Sequence, residues 1–440
     1  MSTGESEPLA GGGVPSPSEG ESGRPPRDPF RSLLNLARHG QVVRYRGGSE
    51  PAYLVNHPDV IKRVLVDNHA NYTKGTLVNT IFKVAVADGL LTSEGEQWRR
   101  QRRLMQPAFQ RERLAHLGEG MTGAAVALLD RWEELAGQGE PVDVGEEMGS
   151  LTLRIAAEAL FGADIGKESD ELGREIAMGL KGLMAPQKPQ FQEGKARLEE
   201  VVLDIVEDRR RTGRPSQDLL SRLLEARDEE TGLGMSDEQL RDQMITLLLA
   251  GHETTANALG WTWYLLAAHP EAVEPLHEEL RSVLGGRPPA VVDLPALRYT
   301  RMVIDESLRL FPPAWVMGRR AVEGDLLGGQ EIPAGSVLAL CPYTVHRDSQ
   351  FWETPERFHP PRFTSDRAAA RKPFTYFPFG GGPRLCIGHT FALMETQLIV
   401  ATIAQRFRLE LVEGRPVMPE RLFVLRPRGG LFMTLHRRTA

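Results

Sequence analysis

Hydrophobic positions recur with helical spacing through much of the chain, from residue 94 to about residue 284. Within this stretch, Ser236 and Gln239 have the spacing of a capping box, which marks the start of a helix. The apolar-rich segment after it continues to Ala268, where His269-Pro270 ends it. Roughly 30 residues at about 1.5 Å each give a helix on the order of 45 Å long. A helix this long and this apolar is expected to cross the middle of a large domain.

The flanking segments predict shorter elements. A short helix reaches residue 36, two strands at 42–45 and 52–55 surround a Gly-Gly turn, and a helix covers 57–68. Further helices are predicted at 297–310 and 388–406, and short strands from 407 to 436. Residues 1–28 are rich in Gly, Ser, Pro and Glu and predict a flexible tail. The sequence thus predicts a tail and one mainly α (α+β) domain over residues 29–440.

Composition and charge exclude several classes of site and function. The 440 residues include only two cysteines, Cys341 and Cys386, which excludes a disulfide scaffold and a four-cysteine zinc site. The net charge of −6 argues against general nucleic-acid binding. No secretory signal and no apolar stretch of about 20 residues stand in the sequence, so we expect a cytoplasmic protein without a membrane span. Cys341 lies in an apolar run and is expected in the core.

The candidate chemistry is concentrated in residues 379–388, FGGGPRLCIG, a glycine-rich loop that leads into a predicted helix. The start of a helix favours a thiolate over a thiol, and glycines let the backbone approach a flat group closely. Arg384 can pair with an anionic group, and Phe379 can cover one side of the sulfur. Two other interpretations are a buried structural cysteine and a phosphate loop, although the Lys-Ser/Thr ending of the latter is missing.

The ten residues resemble the haem-binding signature of the cytochrome P-450 family, Phe-x-x-Gly-x-Arg-x-Cys-x-Gly. Its fixed positions are matched by Phe379, Gly382, Arg384, Cys386 and Gly388. The resemblance implies a single cytochrome P-450 fold, with a long central helix over haem b and small β-sheets near the N- and C-termini. It also implies that Cys386 is the ligand to the haem iron, with the rest of the loop around the cofactor.

The family carries an acid and an alcohol in its central helix, and AGHETT at 250–255 matches that pattern. Oxygen activation consumes protons, which an acid and a hydroxyl can relay through water, so the resemblance implies that Glu253 and Thr254 are catalytic. Ala250 and Gly251 would leave room over the ring. The Thr254 hydroxyl is also expected to compete for a backbone carbonyl of the helix. Without the cysteine loop, a polar patch on a buried helix would explain the same residues.

A third motif concerns folding. An i,i+3 pair such as Glu306 and Arg309 is, on its own, usually a solvated surface feature. Both residues match the Glu-x-x-Arg motif of the family, and Arg362 matches the third member of its structural triad. Pro361 replaces the glutamate that usually precedes it. The resemblance implies that these three residues stabilise the core beside the cysteine loop.

Contacts to the haem propionates are implied for four further positions. Trp98 and Arg102 have the family's Trp-x-x-x-Arg spacing and face one side of a helix. Arg319, with Arg320 as the alternative, and Lys74 resemble further contacts. The outer side of the same helix would then carry a basic patch, which we define as Arg99, Arg100 and Arg103.

The resemblance is less specific about which residues line the substrate pocket. A loop between residues 76 and 91 should line it, together with Leu247, Ala250, Ala314, Val316, Met317 and Phe423. These side chains are mostly apolar, which favours a lipophilic substrate such as a fatty acid, terpenoid or polyketide. The GGGPR form of the loop is similar to that of the fatty-acid-oxidising branches of the family.

The implied reaction inserts one oxygen atom from O2 into an organic substrate by hydroxylation or epoxidation. Two electrons would come from NAD(P)H through a reductase and a separate ferredoxin- or flavodoxin-type donor, with the basic patch as the docking site on a monomeric enzyme. A peroxygenase or isomerase would use the same haem but often lacks the acid–alcohol pair. A haem sensor or gas carrier would favour histidine ligation, whereas His252, His346 and His389 have no ligand-spaced partner.

Overall fold

The computed structural model describes residues 30–46, 50–162, 190–213 and 216–438, so the predicted tail lies outside the described residues. The helices of these ranges are numbered in chain order. They are α1 Arg31–Ala37, α2 Pro58–Lys62, α3 Leu77–Val86, α4 Gly95–Met105, α5 Arg111–Leu114, α6 Gly118–Gln138, α7 Val144–Phe161, α8 Gln190–Thr212, α9 Leu219–Glu225, α10 Asp237–Ala268, α11 Val273–Leu284, α12 Arg298–Leu310, α13 Pro342–Val345, α14 Ser365–Ala369 and α15 His389–Arg406.

Strands form small sheets at the periphery of the helices. They are β1 Val42–Arg46, β2 Pro51–Val55, β3 Tyr72–Thr73, β4 Val142–Asp143, β5 Met317–Ala321, β6 Asp325–Leu327, β7 Gln330–Ile332, β8 Val337–Leu340, β9 Phe407–Leu411, β10 Pro419–Arg421, β11 Leu425–Pro427 and β12 Phe432–Arg437. One sheet has the order β1-β2-β8-β5-β3, in which β2 and β8 are parallel. Another has the order β4-β12-β9, and β6-β7 and β10-β11 form two-stranded pairs. The prediction of a mainly helical fold with small sheets is confirmed.

Helix α10 is the central element of the fold. The Ser236 hydroxyl accepts a hydrogen bond from the Gln239 amide (3.2 Å), and the Gln239 side chain accepts one from the Ser236 amide (3.1 Å), so the predicted capping box is present. The helix runs for 32 residues and ends at Ala268, as predicted. It packs against α7, α8, α12 and α15. Because α10 is surrounded by other helices, residues near its middle lie deep in the molecule.

One prediction about local structure holds with interruptions, and another is wrong. The helical stretch from 94 to 284 is interrupted by β4 and by non-helical residues 226–236. The left-handed Gly139 (φ 72°) ends α6, and the Asp143 carboxylate caps α7. The segment between residues 76 and 91 is not a plain loop, since it contains α3, which is capped by the Thr76 hydroxyl. None of the helices in the described ranges is long and apolar enough to cross a membrane.

Candidate functional site

The cysteine loop has a fixed backbone geometry ahead of α15. The Cys386 amide donates to the Phe379 carbonyl (3.0 Å), and the Gly380 amide donates to the Phe377 carbonyl (3.0 Å). Gly382 has a φ of 66°, and a Cβ at this position would lie 1.9 Å from the Leu65 carbonyl oxygen. A side chain is therefore excluded at residue 382, which explains the glycine of the motif.

Cys386 and Cys341 have different environments. Burial raises the pKa of the Cys386 thiol, while the Gly388 amide, Arg102 and Lys74 act to lower it. The favourable effect expected from the helix start is thus present but is outweighed by burial. Cys386 is nevertheless exposed, so its thiol is accessible to a ligand. Cys341 is fully buried, as predicted, and burial raises its pKa to about 11.

Basic side chains surround the cysteine loop. The Arg384 guanidinium lies 4.0 Å from the centre of the Trp98 ring and pairs with the Glu94 carboxylate at 2.9 Å. Arg102, one turn after Trp98 on α4, donates to the Leu385 carbonyl at 2.9 Å. The i,i+4 spacing of Trp98 and Arg102 therefore points both side chains toward the loop, as predicted.

Lys74 and Arg319 complete a cationic cluster, defined as Lys74, Arg102, Arg319 and Arg384. Burial and repulsion by Arg384 and Arg319 lower the pKa of Lys74 to about 7. The same two effects, burial and Arg384, lower the pKa of Arg319 to about 10. Arg320, the alternative, instead pairs with Glu50 at 2.8 Å on the surface. The geometry thus favours Arg319.

The donor set fits haem. The cationic cluster contains four basic groups, and Glu94 is the acidic neighbour that raises the pKa of Lys74, Arg319 and Arg384. Positive charge beside Cys386 is therefore only partly compensated, which suits a ligand with two carboxylates. Over the described residues, no group of three or more His, Cys, Asp and Glu side chains is arranged to hold a metal ion together. A single cysteine with cations around it is consistent with an iron held mainly by its porphyrin.

The middle of α10 presents a gap in its packing. Ala250 is exposed although it lies on the central helix, and a Cβ on Gly251 would meet nothing within 4 Å. The Thr254 hydroxyl donates to the Ala250 carbonyl at 2.7 Å, as expected from the sequence. Burial raises the pKa of Glu253 to about 7, against the weaker opposite effect of Arg426. At neutral pH this carboxyl can both donate and accept a proton.

The predicted pocket residues come from separate parts of the chain. Leu247 is half-buried on α10, and Ala314 and Val316 are half-buried on the segment before β5. Met317, the first residue of β5, is also half-buried. Phe423 is half-buried and its ring lies 4.7 Å from that of Phe82 on α3. Phe82 belongs to the 76–91 segment that was predicted to line the pocket, and it brings α3 next to Phe423.

The Glu-x-x-Arg motif forms a buried cluster, defined as Glu306, Arg309 and Arg362. Glu306 and Arg309 have no exposed side-chain surface and pair at 2.7 Å, and Arg362 reaches Glu306 at 3.1 Å. Arg309 also donates to the carbonyls of His346 and Pro355, both at 2.7 Å. The local expectation of a solvated pair is therefore wrong, and the arrangement implied by the resemblance is present.

The three arginines of the basic patch have more intramolecular partners than expected. Arg103 pairs with Asp228 (3.1 Å) and Glu230 (2.8 Å), and Arg100 donates to the Gly234 carbonyl at 2.6 Å. Of the three arginines, Arg99 alone is exposed, and it pairs with Glu96 at 2.8 Å. An acidic segment distant in the chain thus folds against α4 and neutralises Arg103.

Sequence reasoning missed two residues beside the loop. Glu94 contacts Arg384 and accepts the Lys74 amide hydrogen bond at 2.9 Å. Its position just before the basic helix α4 was an available signal. His346 binds the backbone of both Arg309 and Phe377, and nothing in the local sequence indicates these distant contacts.

Comparisons with known proteins agree with this geometry. The family model described as cytochrome P-450 matches residues 27–433. Cyclooctatin synthase of Streptomyces melanosporofaciens is 39% identical over 89% of this chain and 88% of its own length. Cyclooctat-9-en-7-ol 5-monooxygenase of the same organism is 37% identical over 88% and 86%.

Two further comparisons extend the match. Pentalenene oxygenase of Streptomyces avermitilis is 34% identical over 89% of each chain. A crystal structure of the cytochrome P-450DA haem domain superposes with a TM-score of 0.84, at 27% identity over 93% of each chain. With its cysteine loop, central helix and buried Glu-x-x-Arg cluster, this chain belongs to the cytochrome P-450 family and is a monooxygenase of that family.

Proposed function

We propose that Cys386 holds the iron of haem b through its thiolate and that the enzyme oxidises a lipophilic hydrocarbon or alcohol. The observation that carries the proposal is the exposed Cys386 thiol at the end of the glycine-rich loop, among partly compensated cations. When bound, thiolate-ligated haem supplies the oxygen-activating chemistry, because the sulfur donates electron density to the iron. Phe379 and Gly388, at the two ends of the loop, would contact the cofactor with Cys386.

The cationic cluster would bind the haem propionates. Arg384 is held by the Trp98 ring and Glu94, and Arg102 by the Leu385 carbonyl, so both guanidinium groups are positioned before any ligand binds. Lys74 and Arg319 are destabilised as cations by burial and by their neighbours. A carboxylate placed among them would raise both pKa values, and this relief would contribute to cofactor affinity.

Glu253 and Thr254 would manage protons on the open side of α10. A carboxyl with a pKa of about 7 is near its midpoint at neutral pH, which suits a group that must take up and release protons. The Thr254 hydroxyl, now bonded to the Ala250 carbonyl, can rotate to accept and donate hydrogen bonds beside Ala250. The small Ala250 side chain leaves space for this exchange.

The substrate pocket would be lined by the residues predicted for it, namely Leu247, Ala250, Ala314, Val316, Met317 and Phe423. Two relatives are named for oxidation of cyclooctat-9-en-7-ol and pentalenene. Names of a hydrocarbon and of a simple alcohol support a lipophilic substrate, as the apolar lining does, and favour a neutral hydrocarbon or alcohol over a fatty acid.

Electrons would come from NAD(P)H through a reductase and a separate ferredoxin- or flavodoxin-type donor. The enzyme that receives them would be a monomer in the cytoplasm. Of the basic patch, Arg99 is the exposed member through which an acidic donor would be attracted. The ion pairs of Arg99 and Arg103 make this steering weaker than an unpaired patch would give.

The test is product formation with isotopically labelled O2, NADPH and surrogate redox partners. Retention of one labelled oxygen atom in the product is expected. A protein that oxidises substrate only with added peroxide would be a peroxygenase, and one that binds O2 without turnover would be a carrier or sensor.

A further inference from the structure

His346 lies between the buried cluster of Glu306, Arg309 and Arg362 and the cysteine loop. Its side chain is fully buried. The Nδ1 atom lies 3.2 Å from the Arg309 carbonyl oxygen, and the Nε2 atom accepts a hydrogen bond from the Phe377 amide at 3.0 Å. Both ring nitrogens therefore contact backbone groups of distant segments.

These partners determine the tautomer of the imidazole. The Phe377 amide can only donate, so Nε2 must carry the lone pair. The proton then resides on Nδ1, which donates to the Arg309 carbonyl. In return, Arg309 donates through Nη1 to the His346 carbonyl at 2.7 Å. One neutral tautomer satisfies both ring nitrogens.

The neutral state is favoured by the surroundings. Burial lowers the pKa of His346 well below its ordinary value, and Arg309, Arg347 and Arg371 act in the same direction. Three positive charges thus disfavour a fourth at this position.

The hydrogen bonds continue into the loop. The Phe377 carbonyl accepts the Gly380 amide, and the Phe379 carbonyl accepts the Cys386 amide, both at 3.0 Å. The Phe377 amide therefore donates to His346, and the Phe377 carbonyl accepts a hydrogen bond from the turn that positions Cys386. Loss of the His346 acceptor would leave a buried amide unpaired, which costs stability locally.

We propose that His346 is a positioning residue that fixes the start of the cysteine loop to the buried Glu306–Arg309–Arg362 cluster. This inference rests on the proposed role of Cys386 as haem ligand. His346 itself touches neither the thiol nor the predicted pocket residues through any described hydrogen bond. Its action is on the backbone at Phe377.

Three substitutions separate the two hydrogen bonds. His346→Gln keeps an acceptor that reaches Phe377, His346→Asn keeps a donor near the Arg309 carbonyl, and His346→Phe removes both while keeping a ring beside Tyr376 (5.3 Å between ring centres). Hydrogen exchange of the Phe377 amide in the haem-loaded protein is the direct readout. Loss of one hydrogen bond predicts about tenfold faster exchange in the Asn and Phe variants and near-normal exchange in the Gln variant.

A second readout is the thiolate spectrum of the reduced, CO-bound protein. The Asn and Phe variants should lose it several-fold faster on mild warming, and the Gln variant should be partly rescued. His277→Gln is the matched control, since His277 is another buried histidine and lies on α11, outside the cysteine loop. It should change neither readout.

The outcomes distinguish a failure of the positioning role of His346 from a failure of the proposed role of Cys386 as haem ligand. If the wild type shows the thiolate band but Phe377 exchange is unchanged in the Asn and Phe variants, the positioning role is wrong. If all three variants exchange equally fast, the amide acceptor is not the cause and the inference is also overturned. If the wild type itself has no thiolate band, the proposed function fails, irrespective of His346.

Discussion

The Arg309 guanidinium makes two parallel hydrogen bonds to the Glu306 carboxylate, Nε to Oε2 at 2.7 Å and Nη2 to Oε1 at 2.8 Å, in a fully buried setting. Glu306 also accepts hydrogen bonds from the His359 amide (2.9 Å) and from Arg362 (3.1 Å). The pair thus joins α12 to the segment that precedes the cysteine loop. Because both charges are buried, removal of one leaves the other uncompensated.

Glu306→Ala is therefore expected to lower the free energy of unfolding by about 3–5 kcal/mol. Glu278 and Arg281 form a matched i,i+3 pair on α11 with both side chains exposed. Glu278→Ala should cost less than about 1 kcal/mol. Urea unfolding of the two variants measures the difference, and equal losses would show that burial of the Glu306 pair has no special role.

Thr254→Ala should leave substrate binding intact and divert electrons to peroxide. The hydroxyl beside Ala250 is lost, whereas the apolar pocket residues are retained. Product and peroxide formed per NADPH consumed are the measured quantities. Thr262→Ala is a matched control, because Thr262 makes the same type of hydrogen bond, to the Ala258 carbonyl, at a buried position of α10. A normal product yield in Thr254→Ala would remove this residue from proton transfer.

The yield of product per NADPH should fall as the pH rises through about 7. Burial raises the pKa of Glu253 to about 7, so the carboxyl is mostly protonated below that pH and ionised above it. Proton supply from this group therefore decreases on the alkaline side. Glu253→Gln, which cannot titrate, should have a low yield without a step near pH 7. A wild-type profile that is flat between pH 6 and about 8 would contradict the assignment.

Arg319→Leu should weaken retention of the cofactor, whereas Arg320→Leu should not. Arg319 is buried beside Lys74 and Arg384, and Arg320 pairs with Glu50 outside the cationic cluster. Loss of one charged hydrogen bond to a carboxylate predicts haem release about tenfold faster. Transfer of haem to an excess of an apo-globin provides the rate. Equal rates for the two variants would mean that Arg319 does not contact the cofactor.

Patterns within one segment were sufficient to predict much of the fold and some of the local contacts near the cysteine loop. The capping box at Ser236, the end of α10 before Pro270, and the shared face of Trp98 and Arg102 each depend on residues a few positions apart. Arg319, which the resemblance favoured over Arg320, is the buried residue of the two. The alternation of side chains along β5 alone would have allowed either residue to face the interior.

Contacts between distant segments could not be predicted in this way. The ion pair of Arg103 with Asp228 joins residues from separate elements, and so does the hydrogen bond of His346 to Phe377. The high pKa of the Cys386 thiol likewise depends on burial, which the helix start does not reveal. Short-range periodicity determines which face a side chain occupies, whereas its partners depend on the tertiary packing.

The proposed function depends most on Cys386 as the haem ligand. The reduced, CO-bound wild-type protein is predicted to show the strongly red-shifted Soret band of thiolate-ligated haem. Cys386→Ala should abolish this band, and Cys341→Ala should keep it, because Cys341 is buried in the core with a pKa of about 11 and donates to the Trp315 carbonyl at 3.1 Å. A red-shifted band that survives in Cys386→Ala, or one that disappears only in Cys341→Ala, would contradict the central claim.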